Sequence, residues 1–283
     1  MSRRDVAIRV RTRSGLAIGL ASMVGLGAFL WPLLIAPGRL ATSATPPLLF
    51  GALLVLVLGV VFAEVADGGI NAKAIAMLGV LSAIGAALRP LSAGTAGFEL
   101  VFFLLILASR VFGPGFGFSL GCTTLFASAL VTAGVGPWMP YQMFGCAWVG
   151  LGAGLLPRSR GRAEVLMLAG YGAIAGYAYG FLLNLSFWPF AVDPGSSIAF
   201  RPGSGVGSNL ARYLAFDVTT SLGWDTGRAI TNFVAILVAG PAVLAALRRA
   251  SRRAAFTAPV TFIESPREAI CASPLTTMSA SSR

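Results

Sequence analysis

VFFLLILASRVFGPGFGFSLGCTTLFASALV, residues 101–131, decides the fold class, and Arg110 is its only charged residue. Gly113-Pro114 interrupts the run: proline has no N–H for a helical ladder, and the pair is a turn signal. The stretch and its flanks therefore read as two apolar helices, 98–112 and 114–133. Residues 98–112 rise only about 22 Å, short of the roughly 30 Å of a bilayer core. That helix must be tilted or continued by flanking chain.

The rest of the chain has the same character. Hydrophobic residues make up 56% and charged residues 11%, with a mean hydropathy of +0.82. A soluble domain carries about 25% charge, so this chain cannot clothe a water-facing surface. The fold class is an all-α integral membrane protein. Eight transmembrane helices are expected at 15–36, 47–66, 70–88, 98–112, 114–133, 140–157, 163–187 and 226–247, or seven if the short one does not span. Asp67-Gly68-Gly69 marks a turn. Residues 1–14 form a basic N-terminus. Residues 251–283, rich in Ser, Thr, Ala and Pro without helical period, read as a disordered tail. A removable signal peptide ending at Ala44 is the rival reading of the start, but its apolar run exceeds the usual h-region of about 7–15 residues.

The net charge of +11 comes from 21 bases, of which Lys73 is the only lysine, against 10 acids. The bases cluster by loop, so they are topology signals before they are a nucleic-acid footprint. With both termini cytoplasmic, inner segments hold most of them: the N-terminal arginines, Lys73, Arg110, Arg158, Arg160, Arg162, Arg248, Arg249, Arg252, Arg253 and the tail. The outer segments hold Arg39, Arg89, Arg201, Arg212 and Arg228. The basic inner face is either an anchor on anionic lipid or a dock for a cytoplasmic subunit.

No histidine is present, which removes His-based triads and His-ligated metals, and Cys122, Cys146 and Cys271 form no CxxC pair. There is no GxxxxGK[ST], so the chain does not hydrolyse nucleotide by itself. No catalytic residue, metal or cofactor is expected, and an enzyme is the poorest of the readings. Glu64 near the inner end of its helix has no intramembrane carboxylate in series, which argues against an ion-driven pump.

Small residues recur at i, i+4: Ala17, Ala21, Gly25; Ala72, Ala76, then Gly79, Ala83, Ala87; Gly113, Gly117, Gly121; Gly150, Gly154; Gly172, Gly176, Gly180. In lipid, close backbone approach over such residues holds helices together. Extending the last stripe reaches Asn184, which must then point inward near the outer surface. Gln142 and Glu99 begin two other helices at the same side. Polar groups at membrane depth are costly unless paired or wet, so the three describe either an outward cavity or interfacial solvation. The roughly 40-residue segment from Phe187 to Asp225 is too long for a plain connector. It carries Trp188, Arg212 and Trp224, and the stiff loop 134–141 adds Trp138. These aromatics are an interfacial belt or the walls of a ligand site.

From residue 70 to about 250 the chain resembles the substrate-binding membrane subunits (S components) of energy-coupling factor vitamin transporters. The carrying stretches are Ala72–Pro90 (AKAIAMLGVLSAIGAALRP), Val111–Gly121 (VFGPGFGFSLG), Gly136–Gly145 (GPWMPYQMFG), Gly150–Arg158 (GLGAGLLPR), Asn184–Phe190 (NLSFWPF) and Trp224–Asn232 (WDTGRAITN). The resemblance implies a six-helix bundle over 70–250, leaving 15–69 as an added N-terminal pair. It implies a pocket on the outer side and an AxxxA face on the first core helix that docks on the shared coupling subunit: here Ala72, Ala76, Ala83 and Ala87, with Lys73 a departure and Ala17 and Ala21 a rival face. It implies partners as well: a transmembrane coupling subunit and two cytoplasmic ATPases that drive uptake of a micronutrient across the cell membrane, with no nucleic acid involved. The expected ligand contacts are Arg89, Glu99, Trp138, Gln142, Asn184, Trp188, Arg212 and Trp224. The long outer segment favours a large ligand, a cobalamin-like corrinoid first. A stand-alone secondary transporter, with broken helices around midplane polar groups, and a non-transport scaffold are the alternatives.

Overall fold

The computed structural model describes residues 12–34, 45–66, 72–92 and 97–254. The Asp67-Gly68-Gly69 turn, Arg39, Ala44, the arginines before residue 12 and the tail after Ala254 lie outside them, as does the side chain of Glu64.

Nine helices run through the described residues: α1 (Thr12–Leu34), α2 (Thr45–Ala66), α3 (Ala72–Ser92), α4 (Val101–Phe112), α5 (Pro114–Val131), α6 (Met139–Leu155), α7 (Gly161–Ala191), α8 (Val206–Thr220) and α9 (Leu222–Ala254). The eight expected helices all appear, and α8 is the surplus. It folds out of the segment expected to be loop between α7 and α9. Its apolar positions are diluted by polar residues, so no long apolar run announces it. Among the described residues five helices are long and apolar enough to cross a membrane: Ser14–Leu34, Ala72–Pro90, Pro114–Val131, Gly161–Ala191 and Leu222–Arg253. Gly51–Val61 and Val101–Phe112 are apolar but shorter. The chain is a multi-pass helical membrane bundle in which five of the eight expected helices meet that length among the described residues.

The brevity of α4 has a physical reason. Nearly all of its side chains are buried, and α3, α5, α6, α7 and α9 all pack on it. A helix wrapped by protein need not match the thickness of lipid. Gly113 follows it with φ 109°, a conformation that favours glycine, and Pro114 opens α5.

Glycine stripes close the bundle as the sequence implies. A Cβ on Gly117 or Gly150 would strike the other residue's backbone carbonyl, Gly121 meets the Cys146–Ala147 peptide, and Gly154 abuts Pro114. So α5 and α6 touch backbone to backbone. Gly172, Gly176 and Gly180 face Ile236, Ala229 and Asp225 of α9. Gly117-Phe118-Ser119-Leu120-Gly121 also has the GxSxG spacing of a hydrolase nucleophile elbow. Here it lies inside a continuous helix with Ser119 fully buried, and the chain has no histidine to serve as its base.

The N-terminal pair belongs to the same core. Phe29 of α1 is fully buried against Tyr141 and Trp148, Gly25 abuts the Phe144 ring, and the Trp148 indole donates to Ser22 Oγ at 3.0 Å. Ala21 is buried too. The Ala21–Gly25 part of the α1 stripe is therefore spent on intramolecular packing, while Ala17 is half-buried. On α3 the arrangement is reversed. Ala74, Leu78, Leu81 and Ser82 turn inward, while Ala72, Ala76, Ala83 and Ala87 are exposed.

Candidate functional site

The ends of α3, α5 and α7 and the starts of α4, α6 and α9 meet at one end of the bundle, as alternating chain direction requires. There they enclose a cavity of about 330 Å³ lined by Arg89, Pro90, Gly97, Phe98, Glu99, Ser128, Thr132, Gly134, Trp138, Trp224 and Arg228. Arg89 lies in the last turn of α3, Ser128 near the end of α5, and Trp138 caps α6. Gly97 has φ 82° and presses on the Trp224 carbonyl, leaving no space for a Cβ. That contact ties the segment before α4 to the first turn of α9.

Arg228 organises the floor. Its Nε donates to Glu99 Oε2 at 2.6 Å, and its Nη1 donates to Asp225 Oδ1 at 2.5 Å and to the Gly176 carbonyl at 3.2 Å. The guanidinium also lies 5.2 Å over the Tyr179 ring. A buried arginine held by two carboxylates, a carbonyl and an aromatic face is fixed in position and neutralised. Across the cavity Arg89 Nη2 donates to Gln142 Oε1 at 2.7 Å. Trp138 and Trp224 are each about half exposed at the rim. Ser128 is fully buried, yet its Oγ has no hydrogen-bond partner. Buried hydroxyls are normally satisfied; this one stands unpartnered in the cavity wall.

Of the expected ligand contacts, Arg89, Glu99, Trp138 and Trp224 converge on this cavity, and Gln142 stands behind Arg89. The other three lie elsewhere. Trp188 has no exposed surface; it packs on Phe200 and Tyr213 and donates to the Ile198 carbonyl at 2.8 Å. It is the keystone of a small second core with Leu185, Tyr213 and Phe216. Asn184 points inward as the glycine stripe implies, but its amide donates to Asp217 Oδ1 and Ser221 Oγ at 2.8 and 2.6 Å. Arg212 donates to Asn209 Oδ1 at 3.1 Å, and Asn209 in turn brackets the Arg201 backbone. These residues fold the segment between α7 and α9 upon itself. Burial, with Asp217 close by, raises the Tyr213 hydroxyl above the ordinary phenol range and keeps it a donor to the Phe181 carbonyl.

Arg228, Ser128, Thr132 and Phe98 were not singled out from the sequence. Asp225 and Arg228, three apart on one helix, are a legible ion-pair spacing. Ser128 carries no such signal, because a serine in an apolar helix looks the same whether or not a cavity lies beside it.

A family model described as "ECF transporter, substrate-specific component" matches residues 73–220, from α3 through α8. Neither the curated proteins nor the solved structures gave a match. The match covers more than half of the chain and includes Arg89, Glu99, Ser128 and Trp138, while α1, α2 and the Asp225–Arg228 pair lie beyond it. The apolar helices and the family match agree: this chain belongs to the substrate-specific components of ECF transporters, membrane subunits that act with other ECF subunits on a small-molecule substrate.

Proposed function

We propose that the cavity is the substrate site, that it faces the cell exterior, and that it captures a small planar micronutrient of no net charge for uptake driven by two cytoplasmic ATPases through a coupling subunit. One observation carries the reading: two guanidinium groups, a carboxylate, an unpartnered buried hydroxyl and two half-open indoles gather around one open cleft. Arg89 and Arg228 are balanced by Glu99 and Asp225, so a ligand of no net charge, neutral or zwitterionic, leaves the site's charges matched. Trp138 and Trp224 stack on its faces at the rim. Arg89 and Ser128 take its polar edge.

The volume favours a small ligand over a corrinoid. About 330 Å³ lies at the low end of ligand pockets, which run from about 300 to 1,000 Å³. The long segment that favoured a large ligand is instead folded as α8 with a core of its own. Orientation rests on the arginines, which place both termini in the cytoplasm. Docking on the coupling subunit falls to the exposed alanines of α3, where small side chains let a partner helix approach closely.

Mass spectrometry of small molecules retained by the purified protein tests the site. A single planar micronutrient should be retained by the native chain and lost from Trp138→Ala and Arg89→Ala, with both variants still folded. Equal retention in all three overturns the reading. Ala76→Leu with Ala83→Leu should block co-purification with a coupling subunit while sparing retention, and normal assembly overturns the docking face.

A further inference from the structure

The α8 helix has a second apolar face that the bundle does not use. Asn209, Tyr213 and Phe216 turn toward the protein. Val206, Leu210, Leu214 and Val218, spaced by four, form a continuous row beside that buried face. All four are exposed, by 37 to 58%. Ser208, Ala215 and Thr219 occupy the opposite, small or polar arc, with Gly207 and Ala211 beside Val218. Of the charged groups of α8, Asp217 falls in line with Leu210, seven residues on, but it is half-buried and bonded to α7. Arg212 is held by Asn209, and Asp217 accepts from Asn184.

The surroundings say what covers this row. It is continuous in chain with exposed apolar surface on the two membrane-length helices that flank it. Phe187 and Phe190 are exposed at the end of α7, and Leu222 and Trp224 are exposed at the start of α9. Below them the same two helices present Ile174, Tyr177, Ile230, Val234 and Val238 outward, as membrane-spanning helices do. Aromatic residues gather at the depth where hydrocarbon meets headgroups. A helix with one wide apolar arc, whose one acid is bonded back to the protein, and a polar back lies in that plane.

We infer that α8 is an interfacial helix, seated with Leu210, Leu214 and Val218 in the lipid on the cavity's side of the membrane, and that the bilayer is thereby part of what holds the cavity rim. The connection is short. Asp217 and Ser221 grip Asn184 of α7, and α9 begins at Leu222, immediately before the rim residue Trp224. A shift of α8 out of the lipid pulls on both.

Site-directed spin labelling in proteoliposomes of the full chain tests this. Cys271→Ser removes the tail thiol, and Cys122 and Cys146 are buried, so labels attach at Leu210→Cys, Leu214→Cys or, on the opposite side of the helix, Ser208→Cys. Relaxation by dissolved oxygen reports lipid exposure; relaxation by a water-soluble nickel chelate reports water exposure. The 210 and 214 labels should show an oxygen-to-nickel ratio several-fold above that of the 208 label. Equal nickel accessibility at all three places α8 in water and overturns the inference. Shielding of 210 and 214 from both reagents means that protein, such as a second copy, covers the row, and overturns it as well.

Discussion

The two ends of the bundle each carry an ion triad built on a buried acid, Asp225 or Glu164, and they differ in what lies beside it. At the cavity end one arginine, Arg228, serves two acids, Glu99 and Asp225. At the opposite end one acid, Glu164, serves two arginines. Arg110 Nε donates to it at 2.9 Å, and Arg248 Nη2 reaches both of its oxygens at 2.7 and 2.8 Å. Arg110 also donates to the Leu156 carbonyl at 2.8 Å. The Glu164 triad thus clasps α4, α6, α7 and α9. The distances in the two triads are alike, and their charges are mirror images. Beside the cavity-end triad lie the cavity, the unpartnered Ser128 hydroxyl and two half-open indoles. Buried charge alone marks a place where structure must be held; a site also needs room and an unmet hydrogen bond.

That contrast can be broken by mutation. The largest effect is expected at the closed end. Glu164→Gln leaves the nearly buried Arg110 without its counter-charge, and breaking such a pair costs about 3 kcal/mol. The thermal midpoint of the detergent-solubilised protein should fall clearly while ligand retention at low temperature stays native. Loss of retention without a lower midpoint would make the two ends functionally alike.

At the cavity end the balance should invert. Glu99→Gln removes one of the two carboxylates on Arg228, but Asp225 and the Gly176 carbonyl remain. Weakening a hydrogen bond to a charged group costs about 1.5 kcal/mol, so equilibrium dialysis of the retained ligand should show about tenfold weaker binding with the midpoint nearly unchanged. A fall in stability with affinity intact would reclassify Glu99 as a second clasp.

The smallest effect is the most discriminating. Ser119 and Ser128 are both fully buried on α5, and both hydroxyls lack partners, but only Ser128 lines the cavity. Ser128→Ala should weaken ligand binding by about 1 kcal/mol, a single neutral hydrogen bond. Ser119→Ala should leave binding unchanged. Equal effects would remove the hydroxyl from the contact set.

The same contrast explains how far the sequence could be read. Arg89, Glu99, Trp138 and Trp224, which line the cavity, were legible because polar and aromatic groups at one set of helix ends are rare and costly in lipid. Trp188, Asn184 and Arg212 met the same criterion yet satisfy one another's neighbourhood within the α7–α9 connection. Sequence shows that a polar group needs a partner; it does not show whether that partner is a ligand or another part of the chain. Arg228 was passed over because it sits inside a long helical run, where an arginine reads as a topology marker.

Composition, the spacing of apolar runs and the placement of arginines and small residues determined by themselves that this chain is a helical membrane bundle with glycine-mediated contacts. Those features act over a few residues and are dictated by the solvent. Only the tertiary structure decided which polar ends converge, that α4 is sheathed by protein, that α1 turns its alanines inward while α3 turns its outward, and that the long connection folds into α8. Each depends on contacts between residues far apart in the chain, where several pairings satisfy the same local pattern and packing selects one.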